Sequence, residues 1–358
     1  MDSSPCSFAS VLLNWFSENG RELPWRETQD PYAIWLSEII LQQTRIQQGW
    51  AYWERFMQSF PRVEDLAAAS EDEVMRLWQG LGYYSRARNL HAAARQIVER
   101  GGFPQTFDEI KTLKGVGDYT AAAIASIAFG QPVAVVDGNV YRVLARHFGI
   151  DTPINSTEGK KLFASLAQEL LPKAQPSAFN QAMMDFGAIH CTPQSPRCLL
   201  CPLAETCDAL HKGRVEELPV KLKTVKVKTR RLTYIYVRCH GETAFHRREA
   251  GDIWQGLWEP LLVSDSTTPN PSSKGGDGFE GAAPVLPTCL GGEENGTLTL
   301  LRKDVKHVLT HRILLTDFYL FECNKKPTLP AGYLWIPESE LENYAVPRLI
   351  EILLSSLR

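Results

Sequence analysis

The sequence predicts a mainly α N-terminal domain followed by an α+β C-terminal domain, and three observations predict it. Residues 1 to about 212 carry apolar positions at helical spacing, broken at short intervals by Asp30-Pro31, Phe60-Pro61, Gly101-Gly102, Pro153 and Pro172. Residues 213–231 hold seven Lys/Arg counted from Arg214, are interrupted by Pro219, and lack an apolar helical face, which predicts an exposed basic linker. Beyond it the pattern changes to short β-rich runs at 232–239, 298–301, 312–321 and 333–336, closed by a helix near 348–357. At 358 residues the chain is long enough for two separate cores.

Each element carries its own signal. Asp30 and Pro31 open a helix by supplying a capping carboxylate and a pre-set φ. Leu113-Lys114-Gly115-Val116-Gly117 is a tight turn before an alanine-rich helix that begins near Tyr119. Its glycines let the backbone curl and leave N–H groups at a helix N-terminus free to meet an anion. Asp137-Gly138-Asn139 follows an apolar run and starts another helix, residues 140–148. Residues 264–297 are rich in Ser, Pro, Gly and Asn, too long for a tight connection and too poor in apolar residues to fold, which predicts a mobile insertion.

Charge and composition narrow the class. Formal net charge is −3, so a nucleic-acid partner would have to be met through local features rather than a global positive field. No stretch reaches the ~18 apolar residues of a membrane helix, and no secretory leader is visible, so a soluble, cytoplasmic protein is expected. Cys191, Cys198, Cys201 and Cys207 form C-x6-C-x2-C-x5-C, a spacing that fits metal thiolates better than disulfides in a reducing compartment. Spacing alone leaves zinc and iron open. Cys6, Cys239, Cys289 and Cys323 are scattered and are expected to be plain thiols.

Two carboxylates stand out. Glu38 has Ile34, Trp35 and Leu41 as helical neighbours, which places a carboxyl on an apolar face; desolvation raises its pKa and suits it to general-acid work. Asp137 at a helix start reads both as an N-cap and as a carboxylate kept ionised by the helix terminus, able to stabilise positive charge. One protonatable and one ionised carboxyl are the pair that glycosidic cleavage through an oxocarbenium-like transition state uses.

The motifs Trp35-Leu36-Ser37-Glu38, Leu41-Gln42-Gln43-Thr44 and Gly80-Leu81-Gly82-Tyr83-Tyr84-Ser85-Arg86-Ala87-Arg88-Asn89-Leu90 join the Gly115-Val116-Gly117 turn, Asp137-Gly138-Asn139-Val140 and the four-cysteine spacing. Together they resemble the adenine DNA glycosylases of the MutY type, in the helix-hairpin-helix DNA glycosylase superfamily. The resemblance implies a helical glycosylase domain at 1–212, with the helix-hairpin-helix at about 108–128 and a cysteine loop at 191–207 holding one [4Fe–4S] cluster. It further implies a Nudix-like lesion-recognition domain at 232–358.

The implied roles follow residue by residue. Glu38 would protonate adenine N7, Asp137 would stabilise the sugar cation or its adduct, and Tyr119 and Asn139 would support that centre. Trp25 and Arg26 would line the base pocket. Gln42, Gln43 and Tyr83 would wedge into the duplex where adenine is flipped out, and Gly115 and Gly117 would hold phosphate. Bifunctional relatives carry lysine where this chain has Tyr119, and some carry lysine where it has Tyr141, so Schiff-base strand cleavage is not expected. No glutamate-rich metal box occurs between Arg231 and Arg358, so the second domain is expected to bind without hydrolysing. Leu309-Thr310-His311 stands where the family commonly has Phe-Ser-His, keeping the hydroxyl and imidazole but losing the aromatic ring.

The expected function is monofunctional excision of adenine opposite 8-oxoguanine or guanine in double-stranded DNA, by a monomer that is nucleoid-associated if bacterial. Two rivals stand beside it: a thymine-mismatch or oxidised-pyrimidine glycosylase of the same superfamily, and a non-catalytic iron–sulfur DNA-binding protein. Glu38 and the added C-terminal domain weigh against the first, and the presence of both carboxylates against the second.

Overall fold

A computed structural model describes residues 5–222, 227–268, 288–291 and 293–357. Its helices run α1 (Pro5–Asn19), α2 (Pro31–Ile40), α3 (Ile46–Ser59), α4 (Val63–Ala68), α5 (Glu71–Trp78), α6 (Ser85–Glu99), α7 (Phe107–Lys111), α8 (Asp118–Phe129), α9 (Gly138–Phe148), α10 (Thr157–Leu170), α11 (Pro176–Asp185) and α12 (Asp208–His211). Among the described residues seven strands and α13 (Arg348–Ser355) follow. The chain divides into two compact units, one of residues 1–69 with 89–223 and the other of 70–88 with 224–358. Residues 70–88, which their helical periodicity places with the N-terminal domain, therefore group with the second unit.

In the first unit, α2 starts as its sequence dictates: Asp30 caps it by accepting from the Tyr32 N–H at 2.9 Å, and Pro31 sits at its first position. Every residue from Tyr32 to Ile40 is buried, so Glu38 is held inside the fold instead of at an edge that reaches water. α8 is buried from Thr120 to Ser126, and its run of Ala121, Ala122, Ala123 and Ala125 keeps the side-chain layer thin enough for neighbouring helices to approach closely. α9 is amphipathic and buries Val140, Val143 and Leu144 against Leu12, Phe163 and Phe179.

The basic segment departs from the exposed tether its composition suggests. Leu218 is buried in the core of the first unit with Val215 and Val220 packed against it. Val220 O accepts from the Ile154 N–H at 3.0 Å. Three apolar residues spaced among the charges supply enough anchoring surface to override the polar composition. Residues 223–226 lie outside the described residues, and 228–231 belong to the first strand.

The second unit contains one seven-stranded sheet: β1 (Lys228–Cys239), β2 (Glu242–Arg247), β3 (Trp258–Glu259), β4 (Leu261–Thr268), β5 (Gly296–Val308), β6 (Arg312–Cys323) and β7 (Tyr333–Pro337). The path is β3-β2-β1-β6-β5, with β4 also pairing β1 and β7 pairing β2. β1 and β6 are parallel and the other pairs antiparallel. Alternation along β1 divides the core in two: Leu232, Tyr234 and Tyr236 pack with Leu349, Ile350 and Leu353 of α13, while Ile235, Val237 and Cys239 pack with Leu261 and Phe321. Of the expected insertion, 264–268 continue β4, 288–290 form a short turn and 296–297 begin β5; residues 269–287 lie outside the described residues.

Candidate active site

A cavity of about 310 Å³ in the first unit is lined by Glu38, Tyr119, Asp137 and Asn139, brought from α2, α8 and the start of α9. Trp25, Arg26, Arg21 and Met184 are among the residues of its walls. Five segments of the sequence thus converge on one concave, partly apolar site, which is the general form of a small-ligand pocket.

Glu38 is 9% exposed. Burial pushes its pKa up to about 7; the Tyr119 hydroxyl, donating to Oε2 at 2.8 Å, opposes that rise, Asp137 adds to it, and Arg26 opposes it. Tyr119, expected to support that centre, hydrogen-bonds Glu38, and burial and the two nearby carboxylates hold its own phenol well above its usual pKa. It therefore keeps its proton.

Asp137 is the N-cap of α9, accepting from Asn139 N–H at 2.9 Å, Val140 N–H at 2.8 Å and Asn139 Nδ2 at 2.8 Å. The capping reading is thus met, and the same carboxyl lines the cavity. The expectation that the helix terminus sets its titration is corrected: burial is the largest effect and raises the pKa, with the three hydrogen bonds opposing it. Those donors hold the carboxyl group in a fixed orientation.

Trp25 is buried and meets the rings of Trp50 and Trp53 edge-on, so its face is fixed where it borders the cavity. Arg26 spends its guanidinium on Asp185, at 2.8 and 2.7 Å, and on Arg21 O at 3.0 Å. Asp185 is fully buried and also binds Arg21 through its guanidinium and its backbone N–H. Sequence reading missed Arg21 and Asp185; a charged residue set among Met183, Met184 and Phe186 was the signal available.

The remaining candidates lie elsewhere. Gln42 Nε2 donates to Thr120 Oγ1 at 3.2 Å, and Gln43 is exposed with φ 57, a left-handed conformation uncommon for a side-chain-bearing residue. In the turn before α8, Gly115 has φ 76, and a Cβ there would lie 2.6 Å from Asn89 Cβ. Gly117 is extended and faces open space, so only Gly115 requires glycine. In the second unit Tyr83, also left-handed at φ 47, is half exposed, and its hydroxyl meets Thr310 Oγ1. Thr310 and His311 are exposed in the turn joining β5 to β6, whereas Leu309 packs toward the core and does not occupy the aromatic position as a surface group.

Cys191, Cys198, Cys201 and Cys207 all line one small enclosure of about 30 Å³, together with Arg146 and His190. Burial pushes the Cys201 thiol up to about 11 and raises Cys198 and Cys207 as well. Four soft donors facing one another suit a bound group that displaces their protons. Among the described residues no group of three or more His, Cys, Asp or Glu is arranged to hold a single metal ion. Arg146 braces the loop, its Nη1 lying 3.4 Å from Cys191 Sγ and 2.7 Å from Thr192 O. Arg142 links the loop to the cavity: Nε donates to Cys191 O at 2.7 Å, and Nη2 to Gly187 O at 2.6 Å and Asn139 Oδ1 at 2.8 Å. Sequence reading gave Arg142 no role, because an arginine on an amphipathic helix ordinarily faces water.

Comparison with known proteins places these features in a family. Residues 36–173 match the HhH-GPD superfamily base excision DNA repair proteins, and residues 233–356 match the NUDIX domain. The adenine DNA glycosylase of Mus musculus is 45% identical over 227 residues, which are 60% of this chain and 44% of that one; the chain thus matches less than half the length of its mammalian relatives. The adenine DNA glycosylase of Buchnera aphidicola subsp. Acyrthosiphon pisum (strain APS) is 34% identical over 254 residues, 70% of this chain and 73% of that one. A solved thermostable thymine-DNA glycosylase covers 58% of this chain and 97% of its own length, with 33% identity and a TM-score of 0.55. Among the described residues no helix is long and apolar enough to cross a membrane. On the match to a relative along nearly three quarters of that relative's length, with both domain families found in order, the chain belongs to the adenine DNA glycosylase family.

Proposed function

We propose that this protein is a monofunctional adenine DNA glycosylase acting on double-stranded DNA, releasing adenine opposite 8-oxoguanine or guanine and leaving an abasic site. The observation that carries the reading is the pairing across one cavity of Glu38, with its pKa near 7, and Asp137, held by three donors. Glu38 is protonated in an appreciable fraction at neutral pH and can give its proton to the departing base. Asp137 stabilises the positive charge that develops on the sugar. Asn139 fixes the direction of that carboxylate, and Trp25 and Arg26 bound the base. Among the described residues no lysine lines the cavity, which supports hydrolysis over a Schiff-base path.

The four cysteine thiolates would hold a [4Fe–4S] cluster, which would tie together the loop that Arg142 and Arg146 brace. The turn of Thr310 and His311 would read the base opposite the adenine, with Tyr83 beside it. The domain division proposed is a helical glycosylase part, its basic connector and a Nudix-like part that binds a lesion. A cytoplasmic or nucleoid-associated monomer is the corresponding setting.

The solved thymine-DNA glycosylase gives the rival substrate a specific basis. Single-turnover assays on duplexes carrying A·8-oxoguanine, A·G, T·G and an oxidised pyrimidine separate the readings. Adenine release from the first, with thymine and pyrimidine duplexes intact, is expected; release from the T·G duplex alone would transfer the chain to the rival reading, and binding without release to a non-catalytic role.

A further inference from the structure

The segment joining α11 to the cysteine loop is a single π-helical turn, Phe186–His190, closed by Cys191 N–H donating to Phe186 O at 2.7 Å. Such turns are rare and cluster at functional sites. Gly187 lies in it with its backbone outside the left-handed region, so no conformational demand calls for glycine there. The demand comes from its neighbour. A Cβ on Gly187 would lie 2.6 Å from Asn139 Cβ and 3.0 Å from both Asn139 Cα and Asn139 O.

The turn has little room to retreat. Phe186 stacks on His190 with centroids 4.8 Å apart and meets Trp15 edge-on at 5.0 Å. Arg142 clamps the Gly187 backbone to the Asn139 side chain, donating to Gly187 O and Asn139 Oδ1 from the same nitrogen. Asn139 in turn supplies two of the three donors that hold Asp137. A methyl group at 187 must therefore be accommodated by moving Asn139, and with it the carboxylate.

We propose that Gly187 is a positioning residue for the reaction: the missing side chain in the π-turn lets Asn139 seat against it and so fixes Asp137. The inference rests on the proposed glycosylase activity, and wild-type excision measured alongside keeps the two separable, since a wild type that releases no adenine sinks the activity and not this contact.

The test compares wild type, Gly187→Ala, Asn139→Gly and the double variant in the full-length protein. Each is measured for single-turnover adenine release at saturating enzyme, for affinity to a duplex with a non-hydrolysable 2′-fluoroadenosine, and for its melting temperature. Gly187→Ala is expected to lose about 100-fold in rate while affinity stays within about threefold, the pattern of a group acting only in the transition state. Asn139→Gly removes the closest contact, so adding Gly187→Ala to it should cost less than about threefold further. An equal loss in both backgrounds, or a Gly187→Ala rate within about threefold of wild type, overturns the proposal. Should Gly187→Ala not fold, recovery of a cooperative melt in the double variant upholds the contact; failure of the double variant to fold assigns the glycine to the turn itself and overturns it.

Discussion

The Tyr119 hydroxyl donates a 2.8 Å hydrogen bond to Glu38 Oε2 while burial holds the Glu38 pKa near 7. The two influences oppose each other. Burial disfavours the charged carboxylate, and a donated hydrogen bond favours it. An acid required to be protonated then loses activity as pH rises through its pKa, so single-turnover adenine release should fall on the alkaline side with an apparent pKa near 7. Tyr119→Phe removes the stabilisation of the ionised form, so the alkaline limb should move to higher pH; a limb that stays in place or moves down would show that the bond does not set the acid.

Glu38→Gln separates chemistry from stability. The amide cannot supply a proton, so adenine release should be nearly abolished while duplex affinity holds; release within about tenfold of wild type, roughly 1.4 kcal/mol of barrier, would remove Glu38 from the acid role. The same raised pKa has a stability consequence. The folded carboxyl binds its proton more tightly than the unfolded one, so its contribution is fully present below about pH 4.5 and is lost as pH rises toward 7. At pH 8 the wild type then carries a buried charge worth on the order of 3 kcal/mol of lost stability. Glu38→Gln should melt higher than wild type at pH 8, with the advantage shrinking toward pH 5.

Arg142 joins the cysteine loop to the aspartate through Cys191 O, Gly187 O and Asn139 Oδ1. Arg142→Leu leaves the buried Gly187 O without this donor, at about 1–3 kcal/mol, and takes the same donor from the part-buried Cys191 O and Asn139 Oδ1 at a smaller cost. Both the melting temperature and the excision rate should drop. Arg142→Lys should recover little of either, because one ammonium cannot reproduce the forked donor geometry. Full recovery by lysine would mean that charge alone, and not the fork, is what the site uses.

The thiol enclosure makes a direct analytical prediction. Purified protein should carry about four irons per chain, as one [4Fe–4S] cluster held by four thiolates requires. Cys198→Ser should lower iron occupancy and the melting temperature together. Stoichiometric zinc, in protein made anaerobically with iron supplied, would reassign the loop.

How much of this was legible follows from how local each signal is. Glu38 and Asp137 could be read because their settings are written within a turn or two: an Asp-Pro helix start with apolar neighbours for one, a helix N-terminus for the other. Asp185 could not, because its partners Arg21 and Arg26 lie 164 and 159 residues away. The strands at 228–239, 312–323 and 333–337 carry β-branched and aromatic runs, whereas β2 reads Glu-Thr-Ala-Phe-His-Arg and is a strand because it pairs on both sides, with β1 and β7. The basic connector was misread as exposed since three apolar residues weigh little in its composition, yet they decide its packing.

The last prediction concerns the base opposite the adenine. The turn between β5 and β6 is held by its backbone, with the Leu309 N–H donating to Arg312 O at 2.8 Å and the His311 carbonyl accepting from Lys228 N–H at 3.2 Å. Arg312 pairs with Asp252 at 3.2 Å, and Leu309 is drawn toward the core. Thr310 and His311 therefore project from a turn held by its backbone, and the exposed bond to the Tyr83 hydroxyl is what Thr310→Ala gives up. Thr310→Ala with His311→Ala should leave the melt nearly unchanged, since exposed substitutions usually stay within about 0.5 kcal/mol. Phosphate contacts would persist, so affinity for undamaged duplex should hold, while hydrogen bonds to a lesion edge are worth about 1–3 kcal/mol. The affinity ratio for 8-oxoguanine over guanine should accordingly fall roughly tenfold to hundredfold. The single-turnover rate on saturated A·8-oxoguanine duplex should stay near wild type, because the cavity of Glu38 and Asp137 is untouched. A ratio equal to wild type at one salt concentration would place lesion reading outside this turn, and a matching loss on undamaged duplex would make the pair general DNA contacts instead.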